Sequence, residues 1–408
     1  MNKNFRKISF PLSTSSIANR WAAEDINPLK EKIMIQTKKI RIYPTTHQAK
    51  LMNNWIGTTR FLYNDILNRI KKDKEKINFF GLRNKFVTYD SASEYYDEWM
   101  FNTPKEVRAG AVRDLVTAYK TNLQKGSKFD MHFKSKKYLL RQNIVIPKLS
   151  IKLLGKCRIQ FYDRKFNFGS LKCKEKIKTI ESDIRIERIN PNIWYIILPY
   201  TKEIKECKKK KICGNDLGMR KFLTGVGTDG LSYKIGENFY DDIKKINRKI
   251  DDLESRYKKT LNDKEEKVAL KTKKRLDFLL FKRRNMVDNL HYQTINFLTK
   301  RYDIIVIGKF TGRSVKSKSR WYNRMAYSFG YGKFIERLGN KCRLLGKRMM
   351  MVDEHWTSKS CSLCSKIDHN LGSSKVYDCK SCGLNVDRDI NGSINILMKG
   401  LSEVKNLK

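Results

Sequence analysis

Four cysteines near the C-terminal end constrain the fold of this 408-residue chain more than any other feature. They form two Cys-x-x-Cys pairs separated by 14 residues, Cys361 with Cys364 and Cys379 with Cys382. This spacing is typical of a tetrahedral zinc site with four thiolate ligands, which leaves no open position for water. The stretch 352–396 therefore predicts a structural zinc ribbon.

Carboxylates flank the cysteine pairs on both sides, at Asp353, Glu354, Asp387 and Asp389. Carboxylate oxygens are hard ligands that suit Mg²⁺ or Mn²⁺ better than they suit thiolate-bound zinc. The flanks therefore indicate that the ribbon interrupts a second metal site.

The charge of the chain indicates a polyanionic partner. It has 87 Lys and Arg against 42 Asp and Glu, a net charge of +45. Nucleic acid is the first candidate and an anionic membrane surface the second, while lysine enrichment from an AT-rich genome is the alternative explanation. No apolar run of about 18 residues is present to cross a membrane. Nine cysteines, an odd number, favour metal-bound thiolates in a reducing compartment over a disulfide framework.

The first half predicts a β-domain with a helical insertion. Residues 1–36 are polar and aperiodic, so we expect a flexible leader. Lys38–Tyr43 alternates as a strand, residues 47–72 and those after Pro104 are helical, and short β-runs fill 129–205. Residues 37–46 and 129–205 are thus expected to form a small β-barrel, with 47–128 inserted. Such barrels commonly bind nucleic acid.

The second half predicts an α/β domain over 206–360 and 384–408, interrupted by the ribbon at 361–383. Ile212–Leu217 is predicted as a buried strand followed by a hairpin, and 241–300 as two long helices. A strand over 303–310, a helix over 330–347 and a strand over 349–353 follow. This order indicates a sheet of mixed strand direction.

Asp216 and Asp389 are the two carboxylates with the clearest positions. Asp216 ends a buried strand and Asp389 begins the terminal helix. Each could instead have a purely structural role, because Asp216 would cap the next turn and Asp389 would cap its helix. An RNase H-like sheet would instead bring both together to hold two divalent ions for phosphodiester cleavage.

Three motifs, in this order, resemble a known family: GNDLGMRKFLTG from Gly214, EHWTSKSCSLC from Glu354 and CGLNVDRDINGSINIL from Cys382. The family is that of the transposon-encoded TnpB nucleases, with their eukaryotic and viral Fanzor relatives and the related type V CRISPR effectors. The segment KKIRIYPTTHQAKLMNNWIGTTRFLYN also resembles the start of TnpB, so the similarity covers about residues 38–400.

The resemblance implies a multidomain α/β fold. An RNase H-like (RuvC) nuclease domain would carry the inserted four-cysteine zinc ribbon, and the N-terminal β-barrel would be wedge-like, with a helical recognition insertion. It further implies an RNA-guided DNA endonuclease encoded by a mobile element, with a guide RNA and a double-stranded DNA target as partners. Asp216 and Asp389 fall on the first and last catalytic carboxylates, Asp387 is a neighbour, and the cofactors would be structural Zn²⁺ and catalytic Mg²⁺ or Mn²⁺.

One position departs from the family. The usual glutamate at the end of the middle strand is replaced by Gly308. Either the nuclease is dead, or the ligand has moved to Glu354, as in similar TnpB and Fanzor members. Glu354 ends the next predicted strand and would point toward Asp216 and Asp389, whereas Asp353 would face the opposite way. The alternative for Glu354 is an exposed loop residue.

Six further residues are candidates for nucleic-acid contacts: Arg41, Arg60, Tyr63, Asn64, Arg320 and Trp321. The segment 313–334 mixes basic and aromatic residues, which suits a displaced single strand. Aromatic residues of a helix that fill a core are an equal alternative.

The sequence therefore predicts a guide-directed nuclease that cleaves by two-metal hydrolysis. The alternatives are a nuclease-dead RNA-guided DNA-binding protein and an accessory protein of transposition or DNA recombination. No membrane association is expected. A eukaryotic or viral protein would act in the nucleus and a prokaryotic one in the cytoplasm.

Overall fold

The computed structural model describes residues 5–7, 33–124, 126, 129–135, 142–190, 192–204, 211–309, 320–372 and 374–405. The chain divides into two compact units, an N-terminal unit, Ile33–Lys202, and a C-terminal unit, Glu203–Lys408 together with Met1–Lys32. None of the described helices combines the length and the apolar character that crossing a bilayer requires.

The described strands, in chain order, are β1 (Phe5–Lys7), β2 (Ile33–Tyr43), β3 (Gln142–Ile146), β4 (Ile151–Leu153), β5 (Arg158–Phe161), β6 (Leu171–Cys173), β7 (Ile184–Asn190), β8 (Ile193–Glu203), β9 (Ile212–Asp216), β10 (Leu223–Gly227), β11 (Leu231–Ile235), β12 (Ile304–Gly308), β13 (Arg348–Val352), β14 (Val376–Asp378) and β15 (Asn385–Asp387).

The described α-helices are α1 (Thr46–Asp73), α2 (Phe79–Phe86), α3 (Tyr89–Ala92), α4 (Lys105–Gln124), α5 (Asp163–Phe166), α6 (Phe239–Asn262), α7 (Glu266–Arg301), α8 (Arg320–Phe329), α9 (Tyr331–Leu344) and α10 (Arg388–Lys405). Short 3-10 helices occupy Glu98–Asn102 and Lys148–Ser150.

The N-terminal unit is built on a seven-stranded sheet in the order β3-β7-β8-β2-β6-β5-β4. Alternate residues of β8 are buried, as expected for a strand with one face on the core. β2 pairs with β6 through Ile42 and Cys173, which confirms that the first predicted strand joins the later β-runs. Helices α1 to α4 lie between β2 and β3 in the chain, and α1 packs on α4. The closed barrel stays a prediction.

The C-terminal unit contains a six-stranded mixed sheet in the order β1-β11-β10-β9-β12-β13. β10 is antiparallel to β9 and β11, whereas β12 is parallel to both β9 and β13. The buried runs in β9 and β12 are typical of central strands covered on both faces. Helix α10 packs on β9 and β10, and the predicted mixed sheet is confirmed.

The long helical segment between β11 and β12 is a hairpin, as predicted. Helices α6 and α7 pack on each other, and the seam residues Ile243, Ile246, Ile250 and Leu253 are all buried. The periodicity that predicts this pair is local, so it needs no knowledge of the remaining fold.

Several boundaries differ from the prediction. β2 starts at Ile33, five residues before the predicted Lys38, and Phe5–Lys7 of the predicted leader forms a strand that pairs with β11. The rest of residues 1–32 lies outside the described residues. The predicted helix over 330–347 is α9, whereas the preceding helix α8 was not predicted; Gly330, with φ +60°, separates the two.

Candidate functional site

Asp216 ends the central strand β9, as predicted. Gly214, two residues earlier, allows α10 to approach closely, because a Cβ at this position would lie 2.5 Å from the Ser393 carbonyl oxygen. Burial first, and the nearby Asp389 carboxylate second, raise the pKa of Asp216 to about 6. The carboxyl group thus lies in a poorly solvated position beside a second acidic group.

Asp389 lies in the first turn of α10, but it does not cap this helix. The capping oxygen is Oδ1 of Asp387, which accepts hydrogen bonds from the backbone N–H groups of Asp389 (2.9 Å) and Ile390 (3.3 Å). The alternative that Asp389 serves only as the N-cap of its helix is therefore wrong. Its Oδ2 accepts a hydrogen bond from Lys221 Nζ at 2.8 Å. Its other carboxylate oxygen, Oδ1, does not contact this lysine.

The Glu354 carboxyl group occupies the space beside Gly308. β12 and β13 run parallel with Gly308 opposite Val352, and Glu354 follows two residues later. A Cβ built on Gly308 would lie 2.6 Å from Cγ and 2.7 Å from Cδ of Glu354. The Glu354 carboxyl group therefore lies where a side chain at position 308 would begin.

Glu354 is half-buried, and one of its carboxyl oxygens is buried without a partner. Its Oε1 is inaccessible to solvent and has no hydrogen-bond partner. Burial, followed by repulsion from Asp216 and Asp353, raises the pKa of Glu354 to about 7. An orphaned buried carboxylate oxygen costs free energy unless a cation or donor binds it, so this atom fits a metal ligand.

The Asp353 side chain is exposed, unlike that of Glu354, as expected because successive side chains of an extended chain point to opposite sides. Its carboxylate is 61% exposed and accepts hydrogen bonds from the His355 backbone N–H at 2.9 Å and from Nδ1 at 2.5 Å. The hydrogen bond from the His355 backbone is the main reason that the pKa of Asp353 lies below its ordinary value.

The three predicted carboxylates meet at one end of the sheet. Asp389 raises the pKa of Asp216, and Asp216 raises that of Glu354. A Cβ on Gly392 of α10 would lie 3.5 Å from Asp216 Oδ2 and 4.0 Å from the Thr357 carbonyl oxygen, so these segments are neighbours. Among the described residues, the four cysteines are the one set of three or more His, Cys, Asp or Glu ligand atoms found close enough for a single ion, and the three carboxylates do not form such a set.

The four predicted zinc ligands form one cluster. Cys361 Sγ lies 3.6 Å from Cys382 Sγ, Cys364 Sγ lies 3.6 Å from Cys379 Sγ, and all four sulfur atoms lie within 4.8 Å of one another. Sulfurs about 2.3 Å from a tetrahedral zinc ion would be about 3.8 Å apart, so the residues fit this ion. Backbone N–H groups of Cys382 and Ser381 lower the pKa of the Cys379 thiol to about 6, which favours a thiolate.

Two asparagines of α10, which sequence reasoning missed, bind the backbone between Glu354 and the first cysteine pair. Asn391 donates to Ser360 O and accepts from Ser362 N, and Asn395 donates to Thr357 O, at 2.7–2.9 Å. Their spacing of four residues puts them on one helix face, and asparagine is a poor helix former, so their presence there was the available signal.

The predicted nucleic-acid contacts in the N-terminal unit have varied surroundings. Arg41 donates to Asn192 O at 2.6 Å and lies over the Tyr195 ring, and Tyr63 is buried beneath Lys134. The Asn64 amide exchanges two hydrogen bonds with the Lys134 backbone. These contacts give Tyr63 and Asn64 a structural role, whatever else they bind.

Arg60 lines a cavity of about 760 Å³ on the same unit, together with Asn53, Trp99, Gln142 and Arg188. Two arginines, amides and an exposed aromatic ring can pair with phosphates, read base edges and stack. The prediction for Arg60 therefore has a suitable setting.

The remaining two predicted contacts lie at the start of α8. The Arg320 side chain is outside the described residues, as are residues 310–319. Trp321 packs against the hydrophobic core of the C-terminal unit, and Phe329 and Tyr331 are buried within it. Core packing thus accounts for part of this aromatic segment, whereas Tyr327 is 85% exposed.

Two family models match the chain. Residues 331–396, which include Glu354, the four cysteines and Asp389, match "Cas12f1-like, TNB domain". Residues 34–76 match "Helix-turn-helix domain". In the structure this second range contains β2 followed by the single long helix α1.

Two relatives extend the similarity to nearly the whole chain. TnpB-like protein L79 of Acanthamoeba polyphaga mimivirus is 28% identical over 90% of this chain and 74% of its own length. TnpB-like protein MJ1635 of Methanocaldococcus jannaschii is 22% identical over 96% of this chain and 90% of its own. The chain is therefore similar to TnpB-like proteins along nearly its whole length.

The chain is also similar to a type V CRISPR effector. The CRISPR-associated endodeoxyribonuclease Cas12f1 of Syntrophomonas palmitatica is 23% identical over 53% of this chain and 46% of its own length. The resemblance that the three motifs predict is thereby confirmed.

Proposed function

We propose that this protein is a member of the TnpB family and an RNA-guided DNA endonuclease encoded by a mobile element, and that its C-terminal unit is an RNase H-like (RuvC) nuclease. The observation that carries the proposal is the Glu354 carboxylate, which fills the space beside Gly308 with a buried oxygen that has no partner. An ordinary surface glutamate would gain nothing from leaving water for this position.

Asp216, Glu354 and Asp389 would hold the divalent ions, Mg²⁺ or Mn²⁺, which suit an all-carboxylate donor set. When bound, two such ions would activate a water molecule and stabilise the leaving oxygen of a phosphodiester. The chain's own contribution is to gather three carboxylates from β9, the end of β13 and the start of α10. Burial first, and repulsion from a neighbouring carboxylate second, raise the pKa values of Asp216 and Glu354, and a bound cation would relieve both effects.

The guide RNA and the double-stranded DNA target are the partners that the chemistry supports best. A net charge of +45 suits a complex with two nucleic acids, and the endodeoxyribonuclease activity named for the Cas12f1 relative supports DNA as the substrate. Base pairing would choose the sequence, while the protein would read a short flanking motif, backbone shape and charge. In this proposal, 37–46 and 129–205 form the wedge-like barrel and 47–128 the recognition insertion.

A nuclease-dead RNA-guided DNA-binding protein is the alternative that Gly308 favours, since the usual glutamate is missing there. The geometry of Glu354 supports an active site instead. Cleavage with and without Mg²⁺ separates the two.

The test uses full-length protein purified with its RNA, which is sequenced and then used to choose DNA targets. We expect Glu354→Ala to lower the cleavage rate more than about 100-fold, because even outer partners of metal ligands cost 10–100-fold, while bound RNA is unchanged. The matched control is Asp353→Asn, the exposed neighbour, which should cleave at nearly the rate of the unmodified protein.

Two outcomes would contradict the proposal. Wild-type cleavage by Glu354→Ala would remove Glu354 from the site. Guide-dependent DNA binding without any Mg²⁺-dependent cleavage by the unmodified protein would favour the nuclease-dead alternative.

A further inference from the structure

Lys221 contacts the candidate metal site without belonging to it. Its Nζ lies 2.8 Å from Asp389 Oδ2 and 3.1 Å from Asp387 Oδ2, and Lys234 Nζ of β11 lies 2.7 Å from the same Asp387 oxygen. These contacts join the loop after β9, the strand β11 and the start of α10. Among the described residues, Asp389 is the one predicted metal ligand that takes part in an ion pair.

The loop that carries Lys221 is held in place by the core. The next residue, Phe222, is fully buried, stacks on Tyr331 and His291 and contacts the edge of Phe334. The hydroxyl group of Tyr331 also donates to the Gly218 carbonyl oxygen at 2.8 Å. A lysine anchored in this way holds its partner in one orientation, unlike a lysine on a flexible surface loop.

Asp387 has no capacity left for a metal ion. One oxygen accepts from the lysines and the other caps α10, so both are occupied. The network contains two positive and two negative side chains, Lys221 and Lys234 against Asp387 and Asp389, and is neutral as a whole. A divalent ion that approaches Asp389 would therefore meet a neutral group of four side chains, in which Asp389 balances the one net positive charge of its partners.

We infer that Lys221 is a positioning residue that holds one oxygen of Asp389, so that the other is presented to a divalent ion. This inference rests on the proposed function of the three carboxylates. The role matches the general behaviour of groups that hydrogen-bond to metal ligands and fix their orientation, whose loss typically costs 10–100-fold in metal affinity.

The test measures Mn²⁺ binding to the full-length, zinc-loaded protein by electron paramagnetic resonance, independently of cleavage. We expect Lys221→Met to weaken Mn²⁺ binding about 10–100-fold. Lys221→Arg keeps a cationic donor and should bind Mn²⁺ more tightly than Lys221→Met. In cleavage assays, the Mg²⁺ concentration for half-maximal rate should rise in Lys221→Met, and excess Mg²⁺ should restore part of the rate.

Lys347→Met is the matched control. Lys347 and Asp303 form an ion pair of similar length to that of Lys221 and Asp389, 2.9 Å, and each side chain is only 14% exposed. This pair lies just before the first residues of β12 and β13, at the end of these strands opposite to the carboxylates. This variant should lose thermal stability and leave Mn²⁺ affinity unchanged, which separates positioning from folding. If Lys221→Met does not fold, Lys221→Gln takes its place with the same expectation.

Mn²⁺ affinity equal to wild type in a folded Lys221→Met or Lys221→Gln protein would overturn the inference. Asp389→Asn shows whether the proposed function itself has failed. If this variant binds as much Mn²⁺ as wild type, the metal site is wrong and the Lys221 inference falls with it. If Asp389→Asn loses Mn²⁺ and the Lys221 variants do not, only the inference about Lys221 is overturned.

Discussion

At the scale of single residues, the central feature is the Glu354 carboxylate, which follows β13 in the chain but lies beside the last residue of β12. Glu354 lies two residues past the end of β13, yet its carboxyl group fills the space beside Gly308 at the end of β12. This is possible because neighbouring parallel strands end together, and because glycine leaves the space open. The absence of a side chain at Gly308 thus makes room for the carboxyl group of Glu354.

This complementarity predicts the behaviour of an exchange. Gly308→Glu alone should abolish cleavage, because its Cβ would collide with the Glu354 carboxyl group. Gly308→Glu combined with Glu354→Ala removes the collision and returns a carboxylate to the usual strand. We expect this double variant to cleave faster than either single variant in a timed cleavage assay. A folded double variant as inactive as both single variants would show that the two positions are not equivalent.

The raised pKa values predict how stability depends on pH when Mg²⁺ is absent and zinc is retained. Asp216 titrates near 6 and Glu354 near 7 in the folded protein, above the ordinary range near 4, so the folded state binds more protons between these values. Stability from these groups is therefore fully present below about pH 4 and is lost as the pH rises to 7.

Thermal melting curves check the sign of this pH effect. Glu354→Gln cannot ionise, so it should raise the melting temperature relative to wild type at pH 8 and less at pH 5. Equal shifts at both pH values would show that the pKa of Glu354 is the same in the folded and in the unfolded protein.

At the scale of elements, the site depends on how closely α10 lies against β9. Gly214→Ala would put a methyl group 2.5 Å from the Ser393 carbonyl oxygen, and backbone atoms cannot rotate away as a side chain can. We expect a loss of about 1–3 kcal/mol in the free energy of unfolding, together with slower cleavage, because α10 carries Asp389.

Denaturant unfolding measures this loss, with Gly332→Ala in α9 as the control. A Cβ at Gly332 meets nothing within 4 Å, so this helical change should be neutral or slightly stabilising. A Gly214→Ala protein as stable as Gly332→Ala would contradict the close contact between α10 and β9.

Whole-molecule behaviour should reflect the two kinds of metal site. The ribbon lies between Glu354 and Asp389 in the chain, and Asn391 and Asn395 tie its first turn to α10. Removing Mg²⁺ alone should stop cleavage reversibly without changing the melting temperature by much. A strong chelator that also takes zinc should lower the melting temperature and stop cleavage, and Mg²⁺ alone should not restore it.

Recovery with zinc and Mg²⁺ together completes this test. A variant that lacks one of the four cysteines provides an independent check. Cys379→Ser should have the same lowered melting temperature and lost cleavage as the protein from which zinc has been removed. Full recovery of the stripped protein by Mg²⁺ alone would show that the ribbon does not support the catalytic carboxylates.

Much of this protein could be predicted from its sequence, because the signals are local. The spacing of four cysteines, the apolar runs of β9 and β12, and the seam of α6 and α7 each lie within one short stretch, and each has the predicted structure. Helix α8 and the extra strand β1 were missed; β1 forms by pairing with the distant strand β11, which no local pattern shows.

Taken alone, the sequence determined most of the elements, the cluster of four cysteines and the similarity to TnpB proteins, because spacing and periodicity act over a few residues. Only the tertiary structure decided which acidic residue caps α10, where the Glu354 carboxyl group points and which lysine holds Asp389. These depend on contacts between residues up to 168 positions apart in the chain, and no local pattern encodes them. The stretch 352–396 thus contributes Glu354 and Asp389, while the close packing of α10 on β9 brings them to Asp216.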